Sequence, residues 1–476
     1  MGDRAVSRNR FLTRLESLIV DAVMRFLADI STFSTLVLRV PLRKYQIAPL
    51  RAILTSIFGR QGLEFLLIFP RQAGKNEAVA QLLVYLLNIY QRIGGNIIYG
   101  AESAGKELGI DRLEDRLDNP WNRGVWRSRS RKPPSRSLGR ARVVFLSTSP
   151  LAKTRGQTAH RLLVIDEAQD QDGPHIESVF TPMRAAGNAT AVYIGTVKLT
   201  SDFLWQKKLQ LEAEQQADGM QRVFMVQPET VIAENPYYRD FLNSQVRQHG
   251  RHHPIVASEY YLEPIDGTGG LFGPRRRALM LGKHKRETEP QPGATYVATL
   301  DVAGEDEAAT DPIARLANPG RDYTVGTIFR VDYPPADLIT PGPTYRAVDT
   351  FVDHGSKHFQ EVPGAAPLVQ RLHAWLDHWQ VAHLISDESG VGLGMTSWLT
   401  RALGENRVTG YNFAGTGKKA ALGCALLSLV ETGRFRYWPI DRMLGDAWWF
   451  WQQVEACSYE IPPDGRFDRD LKWGVA

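Results

Sequence analysis

Cysteine is nearly missing from this chain: Cys424 and Cys457 are the only two in 476 residues. Two cysteines with neither partners nor metal-ligand spacing exclude a disulfide framework and a zinc site. They suit a reducing compartment, where both thiols act as packing residues. Long apolar runs are missing as well. Residues 11–40 are apolar in places, but Glu16, Asp21, Asp29 and several arginines interrupt them, so neither a cleaved leader nor a membrane span is expected and the protein should be soluble. No internal repeat is visible, and neither charge dominates. Lys and Arg number 57 against 52 Asp and Glu, a net +5 that is compatible with a polyanionic partner without identifying one. A hydrophobic share of 43% is enough for folded cores, and 476 residues exceed the size at which one core stops growing, so two domains are expected.

What is present is a pair of segments about 90 residues apart that read as two halves of an ATP-hydrolysing site. The first is Phe69-Pro70-Arg71-Gln72-Ala73-Gly74-Lys75. It follows the apolar run Leu63 to Phe69, which suits a buried parallel strand, and precedes a stretch from Glu77 to Leu87 that reads as a helix. Gly74 and Lys75 therefore fall at a strand-to-helix turn, where backbone N–H groups favour a phosphate and the lysine ammonium reaches its outer oxygens. The second segment is Leu162-Leu163-Val164-Ile165-Asp166-Glu167. An aspartate ending an apolar strand can hold the magnesium shell, and the next acid can orient or deprotonate the attacking water. Asp166 takes the first role and Glu167 the second. Against the pattern G-x-x-x-x-G-K-[ST], Phe69 occupies the first glycine position and Asn76 the hydroxyl position. A Gly-Lys pair after a strand is often an ordinary turn; the ordered pair of motifs makes the ATPase reading.

Strand-like runs at 96–100, 143–146, 162–165 and 191–194, with helical segments between some of them, predict a parallel sheet covered by helices. The stretch 267–292, rich in Gly, Pro, Arg and Lys, reads as a linker. The expected division is thus an N-terminal extension over 1–40, an ATPase domain over 41–266, the linker, and a second domain over 293–476. In that second domain, strands are expected at 296–302, 324–332, 345–352 and 383–386, with helices near 368–379 and 418–432. Acids stand at several of these strand ends: Asp301, Asp322 and Asp387, with Asp468 and Asp470 further on. Acids at the ends of neighbouring strands can converge on two divalent ions that activate water and stabilise the leaving oxygen of a phosphodiester. Carboxylates favour Mg²⁺ or Mn²⁺. Singly, such aspartates more often cap strands and turns.

With these residues in view, residues 41–476 resemble the large terminase subunit of tailed bacteriophages, a DNA-packaging ATPase and nuclease. Terminases use a deviant phosphate loop with an early arginine, and Pro70-Arg71-Gln72-Ala73-Gly74-Lys75 resembles that form. The resemblance implies nucleotide contacts by Arg71, Gln72, Ala73, Gly74, Lys75 and Asn76, with the Asn76 amide oxygen replacing the usual hydroxyl. Leu42-Arg43-Lys44-Tyr45-Gln46 resembles the glutamine motif that recognises adenine, making Gln46 the base-edge residue. Ile194-Gly195-Thr196 resembles the motif that couples hydrolysis to movement, with Thr196 sensing the γ-phosphate. Arg155-Gly156 resembles the segment that supplies an arginine finger to a neighbouring subunit.

For the second half the resemblance implies a ribonuclease-H-like nuclease, so the expected fold class is α/β: an N-terminal P-loop domain of the RecA/ASCE type followed by that nuclease. Asp301-Val302-Ala303-Gly304 with Asp322, Ile385-Ser386-Asp387-Glu388, and Phe467-Asp468-Arg469-Asp470-Leu471 resemble its three acidic motifs. Asp301, Asp387 and Asp470 are then the ligands of two Mg²⁺ or Mn²⁺ ions, Asp470 being preferred to Asp468 because Leu471 follows it. The resemblance further implies ATP with Mg²⁺ at Asp166, double-stranded DNA as substrate, a homo-oligomeric ring on a procapsid, and portal and small-subunit partners. It places the protein in the host cytoplasm and transiently at the portal. Two basic clusters, Arg127 to Arg142 and Arg275 to Arg286, are candidates for phosphate contact. A helicase-like or repair ATPase whose second domain only grips DNA is the alternative.

Overall fold

The computed structural model describes residues 27–131, 133–152, 154–305, 323–334, 342–361, 363–413, 415–462 and 465–475. They divide into two compact units. The first runs to Leu242 and takes in Ala257–Asp266; the second is Asn243–Val256 with Gly267 onward. Residues 243–256, which the sequence reading placed in the first domain, thus count with the second.

The first unit is built on an eight-stranded sheet of β1 (Glu64–Ile68), β2 (Gly95–Ala101), β3 (Arg127–Arg131), β4 (Pro134–Leu138), β5 (Ala141–Ser147), β6 (Leu162–Ile165), β7 (Thr190–Gly195) and β8 (Val223–Met225). Its order is β3-β4-β5-β2-β6-β7-β1-β8. From β5 to β8 every neighbour is parallel, while β3 and β4 extend the sheet antiparallel. The parallel strands are continuous apolar runs because both faces are covered: Leu66, Ile68, Leu163, Ile165 and Val192 are wholly buried. The helix Lys75–Tyr90 is itself buried on nearly every side between Ala78 and Leu87. One topological fact positions the site. Strand β7 lies between β1 and β6, the additional strand that defines the ASCE class, and the register pairs Ile68 with Gly195 and Ile165 with Tyr193. The carboxyl ends of all three strands therefore open onto one crevice, where ligands of open parallel sheets bind.

The second unit contains β9 (Thr268–Gly270), β10 (Thr295–Asp301), β11 (Thr324–Asp332), β12 (Thr344–Asp353), β13 (His383–Asp387), β14 (Val408–Tyr411), β15 (Phe435–Arg436), β16 (Cys457–Glu460) and β17 (Lys472–Val475). Six form a sheet in the order β14-β13-β10-β11-β12-β15, and β17-β16-β9 form a smaller one. The meander β10-β11-β12 is antiparallel, and β13 and β14 then add parallel to β10. That is the ribonuclease-H-like order. Its core joins Tyr296, Leu300, Ile328 and Leu384 to Leu372, Leu376 and Trp379 of the helix that begins at Leu368, an apolar stripe at helical spacing. Residues 267–292, read from the sequence as a linker, carry β9 and the helix Pro274–Met280, and both count with this unit. Arg275 and Arg276 there are held by the buried Glu431. That pairing takes two arginines out of the second basic cluster.

His253 gives this unit a pH-dependent element. It is 1% exposed; Nε2–H donates to the Cys424 carbonyl at 3.1 Å and Nδ1 accepts from the Ile255 amide at 3.3 Å. Burial, aided by His249, pushes its pKa down to about 4 although the Cys424 hydrogen bond opposes the shift. An unfolded histidine titrates near 6.5. The stability it contributes is therefore complete above that value and is lost as pH falls from about 6.5 toward 4, by about 2 kcal/mol at pH 5. Urea unfolding of the second unit at pH 7 and pH 5 should show a larger loss in the wild type than in His253→Gln, where His249 and His284, also lowered by burial, still titrate.

Candidate functional site

The loop after β1 is shaped by its own backbone. Gln72 and Gly74 both take positive φ, +64° and +84°, and Gly74 caps the helix that begins at Lys75. A side chain at Gly74 would be strained by that φ and would sit 3.0 Å from Gln46 Nε2. The loop carbonyls are held from outside. Tyr238 Oη donates to Arg71 O at 2.9 Å, Tyr45 Oη to Ala73 O at 2.7 Å, and Gln46 Nε2 to Gly74 O at 2.9 Å. Arg71 donates through its amide to Glu259 O and through Nη1 to Glu259 Oε2, at 2.9 and 2.6 Å.

Across the crevice, Lys75 Nζ donates to Glu167 Oε2 at 2.7 Å and to Thr196 Oγ1 at 3.2 Å, joining residues that follow β1, β6 and β7. Gln169 completes the arrangement, with Nε2 donating to Glu167 Oε2 at 2.8 Å and Oε1 accepting from the Thr196 amide at 3.1 Å. Glu167 takes φ +46°, an unusual backbone for a non-glycine residue and of the kind found where side-chain direction matters more than local comfort. Asp166 is 1% exposed, and its two oxygens accept from Tyr99 Oη at 2.6 Å and the Glu167 amide at 2.9 Å. Burial, reinforced by the neighbouring Glu167 charge, pushes the Asp166 carboxyl up. Burial pushes Glu167 the same way, but the Lys75 ammonium and the Gln169 amide outweigh it and hold Glu167 below its ordinary value. Of the two acids, Glu167 is the one whose ionised form its neighbours favour.

These residues suit a magnesium nucleotide. Asn76 Oδ1 is buried without a hydrogen-bond partner, an orphaned acceptor at the position where a phosphate loop usually places a metal-binding hydroxyl. Two further expected residues stand outside the Lys75 network. Gln46, 3% exposed, has its amide committed at both ends, Oε1 accepting from the Arg43 amide at 2.8 Å and Nε2 donating to Gly74 O, so it braces the loop from the helix Lys44–Gly59. Contact with a base edge would require it to exchange a partner. Gln46→Ala is expected to lower the thermal stability of the nucleotide-free protein, at a cost of about 1–3 kcal/mol for the orphaned backbone groups. Arg155 stands exposed in a turn between β5 and β6, outside the Lys75 network.

In the second unit, Asp301 ends β10 and Asp387 ends the parallel neighbour β13. The register pairs Leu300 with Ser386, which brings the two aspartates side by side at adjacent strand ends. Asp301 is exposed and Asp387 half-buried, its Oδ1 accepting from the Ser389 amide at 2.7 Å. The structure does not bring Asp470 to them as a metal cluster: among the described residues no group of three or more His, Cys, Asp or Glu side chains is placed to hold an ion. Asp470 Oδ2 accepts from the Arg466 amide at 2.7 Å, and its short helix Phe467–Asp470 packs against the helix Thr416–Glu431. Asp468 is paired with Arg466 at 3.3 Å. Asp322 lies outside the described residues.

No family model and no curated protein matches this sequence. Solved structures do. Several large terminases are similar to it. One, from a thermophilic bacteriophage, covers 91% of this chain and 95% of its own at 9% identity, with a TM-score of 0.45. The large terminase of bacteriophage HK97 covers 91% of each chain at 13% identity, with a TM-score of 0.39. The large terminase nuclease of a second thermophilic phage, a structure with bound magnesium, covers 44% of this chain and 88% of its own at 15% identity, with a TM-score of 0.30. With every one of these TM-scores below 0.5, the functional reading rests on the residues of this chain.

Three residues of the first site belong to none of the motifs described from the sequence. Tyr99 reaches Asp166 from β2, a different strand, and Glu259 reaches Arg71 from 188 residues away. Gln169 was within reach, since it stands two residues after Glu167 and its amide can both donate and accept. Among the described residues no helix is long and apolar enough to cross a membrane.

Proposed function

We propose that this chain is a terminase large subunit, which hydrolyses ATP to drive double-stranded viral DNA into a procapsid and cuts the DNA with its second unit. The observation that carries the reading is Lys75 Nζ joined at once to Glu167 and Thr196 at the carboxyl ends of parallel strands. A nucleotide triphosphate arriving at the N-terminus of the helix Lys75–Tyr90 competes for that ammonium. Loss of Lys75 frees the Glu167 carboxylate, which the strained backbone already aims into the crevice, to take a proton from the attacking water. Thr196 loses the same partner, so the presence of the γ-phosphate is passed to the segment after β7. Asp166 and the Asn76 amide oxygen would hold a magnesium ion, which would supply neutralisation of the phosphate charge. In the second unit Asp301 and Asp387 would hold the divalent ions of phosphodiester hydrolysis. The ring on the procapsid, the portal and small-subunit partners and the cytoplasmic setting belong to the same proposal, as does the arginine-finger role of Arg155.

The test is ATP hydrolysis by the purified protein with and without linear duplex DNA, alongside cleavage of supercoiled plasmid with Mn²⁺. DNA-stimulated hydrolysis together with cleavage supports the reading. Hydrolysis without cleavage shifts it to an ATPase whose second unit only grips DNA, and absence of both by folded protein overturns it.

A further inference from the structure

The chain's charge is not spread evenly. Between Asp118 and Asp166 the sequence holds eleven Lys and Arg and no acid, so the net +5 divides into +11 in this stretch and −6 everywhere else. The stretch folds as the antiparallel extension of the first sheet: β3 is the edge strand, β4 pairs it to β5, and the turn at 139–140 joins β4 to β5. Some of its cations are committed. Arg136 is ion-paired with Glu114, Arg142 Nε donates to Asn96 Oδ1 at 2.7 Å, and Arg161 lies over the Tyr90 ring at 4.2 Å. Others present their guanidinium groups to solvent. Arg127 and Arg129 are exposed and donate to backbone carbonyls, Arg127 to Gly124 at 2.7 Å and Arg129 to Gly139 at 3.4 Å. That last bond sets Arg129 beside the exposed Arg140. Of the acids nearby, Asp118 accepts from the Trp126 indole at 3.2 Å and Glu114 is taken by Arg136.

Charge on an edge strand also serves to prevent edge-to-edge pairing, and a single cation is enough for that. It does not account for an excess that continues past the edge into the turn and outweighs the rest of the molecule. Arginine forks facing solvent, free of carboxylate competition and interleaved with serines, match a repeating phosphate backbone.

We propose that this edge hairpin, through Arg127, Arg129 and Arg140, is a surface that grips the phosphate backbone of duplex DNA without reading its sequence. The inference rests on the DNA-translocating reading for its choice of polyanion, and it makes its own prediction. Binding through such contacts is dominated by counterion release, each phosphate contact adding about 0.9 to the slope of log affinity against log salt.

The experiment is fluorescence anisotropy of a short random-sequence duplex with the full chain, over a salt series, comparing the wild type, the triple variant R127Q/R129Q/R140Q and the charge-retaining R127K/R129K/R140K. The glutamine variant is expected to lose on the order of 10- to 100-fold in affinity and about 2–3 in salt slope, while the lysine variant stays within a few-fold of wild type. ATP hydrolysis without DNA, measured on the same preparations, is expected to be unchanged and reports that the first unit is folded. Equal affinity and slope in wild type and glutamine variant, or no DNA binding by the wild type, overturns the proposal. A wild type that binds through these arginines but hydrolyses no ATP would leave this surface standing and remove the ATPase reading. A wild type that hydrolyses ATP and binds DNA without regard to them would do the reverse.

Discussion

Glu167→Gln is expected to lower ATP turnover by about 10²–10⁴-fold, the usual worth of a positioned general base, while nucleotide binding persists. The amide keeps the size of the side chain and can still accept from Lys75 and Gln169, so the loop and the helix beginning at Lys75 are preserved. What disappears is a carboxylate kept ionised against burial by an adjacent ammonium. Lys75→Ala behaves differently, because it removes both the phosphate-binding cation and the charge that keeps Glu167 ionised. Binding and turnover should then fall together. Single-turnover hydrolysis and binding of a fluorescent nucleotide, measured on both variants, separate the two roles. Turnover in Glu167→Gln within a few-fold of wild type would remove Glu167 from the chemistry and leave Lys75–Glu167 as a structural ion pair.

Much of this site is legible in the sequence, and the reason is geometric. Strands buried on both faces must be continuous apolar runs, so β1, β2, β5, β6 and β7 announce themselves, and the residues just beyond them are the ones a parallel sheet offers to a ligand. The hairpin of β3 and β4 is illegible for the opposite reason: Arg127–Arg131 and Pro134–Leu138 carry no apolar alternation, and β4 becomes a strand because β5 offers it a ladder. The helix Gly392–Leu403 opens on Gly392 and Gly394, residues of low helix propensity, and forms because Met395 and Leu399 bury its inner face. Gln46 shows a further limit. A sequence records a side chain that can both donate and accept, and only the fold reveals that Arg43 and Gly74 already use both functions. Segment 243–256 follows the same logic, since the buried partners that count it with the second unit, among them Cys424 for His253, lie far along the chain.

The second unit yields the sharpest separation between residues that the sequence alone treats alike. Asp301→Asn and Asp387→Asn are each expected to reduce Mn²⁺-dependent plasmid cleavage by about 10²–10³-fold, because each would remove one of two carboxylates on adjacent strand ends and leave the ions without charge compensation. The parallel pairing of β10 and β13 fixes their spacing, so neither can stand in for the other. Asp470→Asn should leave both folding and cleavage near wild type. Its carboxylate accepts from the Arg466 amide and stabilises the start of the short helix that packs on Thr416–Glu431, a bond the asparagine oxygen can still make. Cleavage rates for the three variants, normalised to the fraction folded by circular dichroism, decide the matter. Loss in Asp301→Asn and Asp387→Asn with near-wild-type rates in Asp470→Asn is the outcome this geometry predicts. Equal loss in all three would mean that the Phe467–Asp470 helix moves to the strand ends when metal and DNA bind, and the ligand set would then be the one the sequence motif implies.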